Sequence, residues 1–294
     1  YLRFIKGFVD SPDLSLNISR EILQHNKQLM KIANNLEKKI KNELERMLNN
    51  DRETYIEFFK TYGVNIKYGV YDGFGVKKDL LKDLLLYISS KTKEYTTLKE
   101  YVERMKEDQE FIYYVSGQSF EQLEKLPQME LLREKDIEVL FFTDDIDEFA
   151  IKMLMEYDGK KFKNISQGDL NLESEEKQKE VKKKEKEYKD LLTQIKDALK
   201  DKVNDVKLST RLKDSAVCLV TDDEISFEME KVLAAMPGAS SNLKAKRILE
   251  INPEHQLFKA LETVYENNKD EINDYADLLY SRALLIEGFN LEDP

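Results

Sequence analysis

The residues of this sequence best suited to chemistry are Asn17, Arg20 and Gln24, which come after a turn rich in Pro, Ser and Asp. Arg20 and Gln24 are four positions apart, so on a helix both side chains leave the same face, beside the positive end of the helix dipole. A guanidinium and two amides in that position are suited to binding a phosphate. An arginine in the first turn of a surface helix is also a common solvated charge, and the spacing alone leaves both interpretations open.

A long helix is needed to position these residues, and the sequence contains its pattern. Apolar residues recur at three-and-four spacing, which predicts a helix with one buried stripe. The stripe consists of Ile22, Leu29, Ala33, Leu36, Ile40, Leu44 and Met47. Asn17 or Ser19 is a suitable N-cap for the first free amides.

Other reactive groups do not assemble into an active site. The histidines, His25 and His255, have no evident catalytic partner, and Cys218 lies in an apolar run typical of a buried strand. The glycine-rich stretch 69–75 lacks phosphate-loop spacing and predicts a loop. The acidic residues of 144–148 lack the spacing of a calcium loop and predict a solvated helix start. No metal site and no self-contained enzyme are predicted.

Composition limits the class of protein. The chain has 294 residues, of which 41% are hydrophobic and 36% charged, so two domains are expected rather than one large core. The net charge of -11 argues against a nucleic-acid partner. The sequence contains no apolar run of about 20 residues and no signal-peptide core, so we expect a cytoplasmic protein with no membrane partner.

The order of patterns predicts a helix-rich α+β fold. Helical patterns cover 20–60, broken at 49–51, and the whole chain after residue 222. Further helices are predicted over 80–88 and over 97–106, the latter starting at Thr96 or Thr97 with Glu100 placed for a capping box. Strands are predicted over 111–115, 137–142, 203–208 and 216–220. The first two of these strands flank a helix, which predicts a parallel pair, and the charged run 173–190 predicts a domain boundary.

Two amphipathic segments near the end could form surfaces. Between 222 and 238 an apolar face contains methionine, which is typical of a core helix or, if exposed, of an adaptable binding surface. This face is Ile225, Met229, Val232, Leu233 and Met236. A second stripe fits a packed helix pair or bundle. It consists of Ile272, Tyr275, Leu279, Ala283 and Ile286, with Ala276 on the same side.

Several runs, in a consistent order along the chain, resemble the ninety-kilodalton heat-shock chaperone family, of the bacterial HtpG type. The first is LSLNISREILQ at 14–24, which contains Asn17, Arg20 and Gln24. The others are TLKEYV at 97–102, IYYVSG at 112–117, YDGK at 157–160, LEINPEH at 249–255 and ALLIEGFNLEDP at 283–294.

The resemblance implies a fragment: part of a middle domain over 1–172 and most of a C-terminal domain over 173–294, without the final helix. Within the first part, it implies the end of a large subdomain and a helical connector over 1–107 and a small α/β/α sandwich over 108–172. The C-terminal part would be an α+β dimerisation domain. Because the final helix would be missing, the homodimer of the full-length family protein is expected to be weakened here.

The resemblance also implies roles for the residues named above. Arg20, assisted by Asn17 and Gln24, would reach the γ-phosphate of ATP held in an absent N-terminal domain. ATP and Mg would then be cofactors of the full-length ATPase, with none bound to this fragment, which alone would not be an enzyme. The 225–236 face would bind unfolded client proteins, and the 272–286 stripe would serve dimerisation. The alternative is a helix-rich structural scaffold in which every apolar stripe is core.

Overall fold

The computed structural model describes residues 1–10, 27–222, 225–236 and 244–291. The chain divides into two compact units. The first unit consists of Tyr1–Arg104 and Ile146–Lys161, and the second of Met105–Asp145 and Phe162–Pro294. The domain boundary predicted after residue 172 falls inside the second unit and stays a prediction.

The described chain contains both helices and strands and is rich in helix, as expected for the helix-rich α+β class. The α-helices are α1 (Lys27–Asn50), α2 (Arg52–Gly75), α3 (Lys78–Leu81), α4 (Leu98–Arg104), α5 (Phe120–Leu123), α6 (Glu130–Glu134), α7 (Asp147–Leu154), α8 (Glu175–Glu187), α9 (Lys189–Ala198), α10 (Phe227–Ala235), α11 (Gln256–Asn267) and α12 (Ile272–Ile286). The strands are β1 (Leu86–Ser89), β2 (Tyr95–Thr97), β3 (Phe111–Ser116), β4 (Leu140–Phe142), β5 (Glu156–Tyr157), β6 (Lys160–Asn164), β7 (Asp205–Leu208), β8 (Val217–Thr221) and β9 (Arg247–Ile251).

In the first unit, α2 extends further than the glycines in its sequence suggested. The prediction of a loop over 69–75 is correct for Asp72, Gly73 and Phe74, whose backbone is not helical, and Gly75 also has a positive φ of 78°. Gly69 lies inside the helix and is buried there. A Cβ at this position would come within 2.7 Å of the Leu81 side chain, so a larger residue would not fit. Glycine is retained here for close packing rather than for a turn.

The helix predicted over 80–88 is wrong in its second half. Helix α3 ends at Leu81, and Leu86–Ser89 forms β1, which pairs antiparallel with β2. The run from Leu84 to Tyr87 is continuously buried, and periodicity cannot assign a short buried apolar run to helix or strand.

The capping box at the start of α4 is confirmed. The amide of Glu100 donates to Thr97 Oγ1 over 3.1 Å, and the Thr97 amide donates to Glu100 Oε2 over 2.9 Å. Arg52 at the start of α2 also donates to both oxygens of Glu100. The box therefore also ties α4 to α2.

A helix, α7, does start in the acidic run at 144–148, and Asp145 is exposed, but the predicted solvation is wrong for the first two helical residues. Asp147 and Glu148 are buried, and Asp147 Oδ1 lies 2.7 Å from the ammonium of Lys67 in α2. Lys67 is itself buried beside the Tyr87 ring. A buried carboxylate needs a charge partner, and the packing of α7 on α2 supplies one that the local sequence does not show.

In the second unit, β3 and β4 form the predicted parallel pair, with Val115 opposite Phe141. A separate sheet has the order β7-β9-β8, parallel between β7 and β9 and antiparallel between β9 and β8. The strands predicted over 203–208 and 216–220 are confirmed as β7 and β8. The expectation that the chain is helical after residue 222 is wrong, because β9 is the central strand of this sheet. All five of its residues are buried.

A buried arginine joins this sheet to the segment that comes after β6. Arg211 is 1% exposed and donates through Nε to Glu250 Oε2 over 3.0 Å and through Nη2 to Glu250 Oε1 over 3.1 Å. Nη1 also donates to the carbonyl oxygen of Ile165 over 2.6 Å, and Nη2 to that of Gly168. Ser209 Oγ donates to Glu250 as well. All three guanidinium nitrogens thus form hydrogen bonds and the charge is paired with a carboxylate, as a buried ion requires.

The segment between β3 and β4 also contacts the residues around β8, through the side chains of Glu130 and Gln128. The carboxylate of Glu130 accepts the backbone amides of Lys213 (2.6 Å), Asp214 (3.0 Å) and Ser215 (3.1 Å). Burial acts to raise the pKa of Glu130, but the hydrogen bonds from 213–215 outweigh it and lower that pKa. Gln128 donates to the Leu219 carbonyl oxygen over 2.7 Å and to Glu287 Oε1.

Glu287 gives the fold a pH dependence. Burial raises the pKa of its carboxyl from 4.5 to about 7, against the opposing effects of Gln128 and Lys231. The native state therefore holds more protons than the unfolded state between these values, so stability falls as pH rises from 4.5 to about 7 and then levels off. In the unmodified chain, the free energy of unfolding should fall by up to about 3 kcal/mol over this range. Glu287→Gln should abolish this fall, which urea unfolding at pH 5 and pH 8 measures.

The exposed Glu121 in α5 offers a matched control, since Glu121→Gln makes the same chemical change without burial. An equal effect of both variants on the difference in unfolding free energy between pH 5 and pH 8 would contradict this role of Glu287.

Candidate functional site

The predicted phosphate-binding residues, Asn17, Arg20 and Gln24, lie outside the described residues, so their roles stay predictions. Helix α1, which begins at Lys27, is buried only at Leu44 and Leu48. Toward its start, Leu29 is half-buried and Leu36 is 41% exposed.

The predicted client-binding face lies on and beside α10, and its residues differ in burial. Met229 is only 9% exposed, and Ile225 packs partly against the main core of the second unit. Val232 and Leu233 are half-buried, and Met236, just after the helix, is 47% exposed. The face therefore runs from core at its start to surface at its end.

Helix α10 is fixed by buried charges that the sequence analysis missed. Glu230 accepts from Arg247 Nη2 over 2.7 Å and from the Ala245 amide over 2.8 Å. All three residues are buried. Ser226 provides the N-cap by accepting the Met229 amide. Glu230 lies in the middle of an apolar pattern, and that position is the only signal in the sequence that it would need a partner.

A second set of contacts joins α10 to the end of α12. Lys231 Nζ donates to the Glu287 carbonyl oxygen over 2.7 Å. Two cations lie over the Phe289 ring, whose centroid is 4.8 Å from Arg247 Cζ and 4.9 Å from Lys231 Nζ. Phe227 meets the same ring edge-on. These cation–π contacts set the position of α10 relative to α12.

The predicted dimerisation stripe on α12 is mostly internal. Ile272, Leu279 and Ala283 are buried in the core of the second unit, while Ile286 is half-buried and Tyr275 is 36% exposed. The exposed apolar residues of this helix are Leu278 (64%) and Leu285 (54%), which the sequence analysis missed. These two leucines are seven positions apart and lie away from the core side of the helix. This spacing could have identified them in the sequence, because a second apolar side on a helix indicates a second packing partner.

The remaining candidate groups have structural roles. His255 caps α11, because its Nδ1 accepts the Leu257 amide over 3.1 Å. Cys218 is buried in β8, and burial together with the charge of Glu250 raises the pKa of its thiol, which makes it a poor nucleophile. Within the described ranges, no group of three or more His, Cys, Asp or Glu side chains could hold a metal ion. In that same part of the chain, every helix is too short or too polar to span a membrane.

Comparison with known proteins identifies the family. The family model described as Hsp90 protein matches residues 1–294. Chaperone protein HtpG of Bacillus subtilis (strain 168) is 53% identical over 294 residues, covering 100% of this chain and 47% of that protein. Chaperone protein HtpG of Clostridium perfringens (strain ATCC 13124) is 54% identical, with 100% and 46% covered, and that of Clostridium botulinum (strain Okra) is 55% identical, with 100% and 47% covered.

The chain spans about half the length of the curated relatives it matches. The whole-chain match to the family model, at this level of identity to bacterial chaperones, shows that the chain belongs to the Hsp90 protein family.

Proposed function

We propose that this chain is the client-binding and self-associating part of an ATP-dependent molecular chaperone of the bacterial cytoplasm. The observation that carries the proposal is the end of α10, where Val232, Leu233 and Met236 form an apolar surface on a helix anchored by buried charges. Membership of a family whose relatives are named chaperones supports it.

Such a surface suits unfolded polypeptides for two physical reasons. Methionine and leucine side chains adapt to apolar segments of many shapes, so the surface does not need one fixed partner. The Glu230–Arg247 ion pair holds the helix in place, so binding does not require the helix itself to become ordered. Met229, which is buried, serves the packing of α10 rather than contact with a client.

Within this proposal, Arg20 acts on ATP bound by a segment outside this chain. Its guanidinium would neutralise charge that develops on the γ-phosphate, while the amides of Asn17 and Gln24 shape the same corner. A cation and two amides are the donor set that a phosphate needs, whereas Mg²⁺ prefers carboxylate oxygens, which these three residues lack. Mg²⁺ would accordingly be held elsewhere, with the nucleotide.

Self-association through α12 belongs to the same proposal. Leu278 and Leu285 are more than half exposed, while the other side of the helix is already used by the core of the second unit. A second copy of the chain packing on this exposed side would remove both side chains from water.

Substitutions at the exposed end of α10 test whether it binds clients. Leu233→Ser combined with Met236→Ser should weaken binding of an unfolded client by about tenfold or more, because half-burying two apolar side chains is worth on the order of 1–3 kcal/mol. The unfolding free energy should fall by only about 1 kcal/mol or less, since Leu233 is half-buried and Met236 is exposed. Fluorescence anisotropy with a labelled unfolded client measures the first quantity, and urea unfolding the second.

Met30→Ser provides the matched control, because Met30 on α1 is 57% exposed. Met229→Ser should instead lower stability by about 2–5 kcal/mol, as buried truncations do. If the double variant binds the client as tightly as the Met30 variant, and the unmodified chain does not suppress aggregation of that client, the scaffold alternative is correct.

Substitution of Arg20 tests its proposed role in ATP hydrolysis. In a longer protein that joins this chain to a nucleotide-binding domain, Arg20→Ala should lower ATP turnover on the order of 10²–10³-fold, as loss of one preorganised charge donor does, with little change in nucleotide affinity. Steady-state turnover and nucleotide titration separate the two effects. Lys31→Ala, which removes an exposed cation of α1, should leave turnover unchanged. Equal turnover in the two variants would remove Arg20 from the mechanism.

A further inference from the structure

A cleft of about 760 Å³ in the second unit has no role in the function proposed above. It lies between β3, the residues before β4, and the stretch 169–172, and Lys163 of β6 lines it. Phe111 and Tyr113 contribute aromatic walls. A cleft of this volume is large enough to admit a small molecule.

The side-chain amine of Lys163 is unusual within this cleft. Across residues 1–10, 27–222, 225–236 and 244–291, no side chain or carbonyl group accepts a hydrogen bond from it or forms an ion pair with it. Lys135 in the same cleft, by contrast, lies 3.4 Å from Glu173 Oε2. Gly168 borders the Lys163 nitrogen, and even a Cβ at Gly168 would stay 3.8 Å away. Lys163 is thus half-buried at the wall of the cleft, and its nitrogen is unpaired within the described residues.

The surroundings of the Lys163 amine make it easier to deprotonate than an exposed lysine. Burial lowers the pKa of Lys163, the nearby Arg211 guanidinium lowers it further, and Asp169 acts in the opposite direction. Arg211 cannot move away, because Glu250 and two carbonyl oxygens hold it. The other charged residues that line the cleft are of both signs, namely Lys106, Lys135, Asp108 and Glu110.

We propose that Lys163 is a site of lysine acylation, at which its amine takes a small acyl group from an acyl phosphate. The nitrogen lone pair forms a C–N bond with the acyl carbon, the C–O bond to phosphate breaks, and the phosphate leaves with the bonding electrons. The proton lost from the nitrogen passes to water. Lys106 lines the same cleft and donates to the Lys135 carbonyl oxygen, a neutral group, so its charge favours a phosphate leaving group.

The modification also relieves an unfavourable arrangement. An acylated Lys163 is a neutral amide, which is cheaper to bury than an unpaired ammonium and is not repelled by Arg211. Acylation at this position should therefore leave the fold at least as stable as before, unlike the loss of a lysine that forms an ion pair.

Site-resolved mass spectrometry of the full chain treated with acetyl phosphate tests the proposal. At pH 7 Lys163 should be acetylated several-fold faster than Lys161, an exposed lysine of the same strand, and the difference should narrow as pH rises and both amines lose their protons. Lys163→Gln should melt at or above the temperature of the unmodified chain, with Lys161→Gln as its control.

An acetylation rate at Lys163 equal to or below that at Lys161 at pH 7 would overturn the proposal. A melting temperature of Lys163→Gln below that of Lys161→Gln would also overturn it, because it would show that the Lys163 charge is stabilised by a partner.

Discussion

The second unit depends on how one buried cation is satisfied. Arg211 is almost fully removed from water, and its guanidinium donates to Glu250 on β9 and to carbonyl groups of Ile165 and Gly168 after β6. A buried charge that loses a partner is strongly destabilising, so these groups must keep their positions together. The consequence is that the segment after β6 and the three-stranded sheet are parts of one packed body. The Glu130 carboxylate adds a second joint by binding the amides of 213–215.

The same strand, β9, extends this constraint to the surface helix α10. Glu250 near the end of β9 binds Arg211, and Arg247 at its start binds Glu230 of α10. Arg247 also contacts Phe289, which lies just beyond α12. Helix α10, which carries the apolar end, is thus held in place by a buried ion pair to β9, and a second buried ion pair connects β9 to Arg211. This explains how a helix with Met236 nearly half exposed can stay fixed while most of its earlier residues are core.

The parts of this structure that depend on local pattern could be predicted from the sequence. The parallel pair of β3 and β4 follows from a strand–helix–strand order, and the Thr97–Glu100 capping box follows from spacing alone. The burial of α10 and α12 could not be predicted in the same way, because each helix is apolar on more than one side and only its packing partners decide which side is core.

The charged contacts show the limit most clearly. Arg211 and Glu250 are 39 positions apart and Gln128 and Glu287 are 159 apart, and none of the four lies in a pattern that identifies its partner. Asp147 was expected in solvent for the same reason, since its partner Lys67 is on a different helix. The phosphate-binding role of Asn17, Arg20 and Gln24 rests on sequence and family, because these residues are outside the described part of the chain.

Native-state hydrogen exchange tests the central claim, that the segment after β6 and the sheet open as one unit. The relevant amides are those of Gly168, which donates to the Thr221 carbonyl oxygen, of 213–215, which donate to Glu130, and of β9. We predict that increasing urea brings all three sets into exchange through a single opening with one free energy. Exchange of Gly168 and 213–215 at a markedly lower free energy than β9 would contradict that claim.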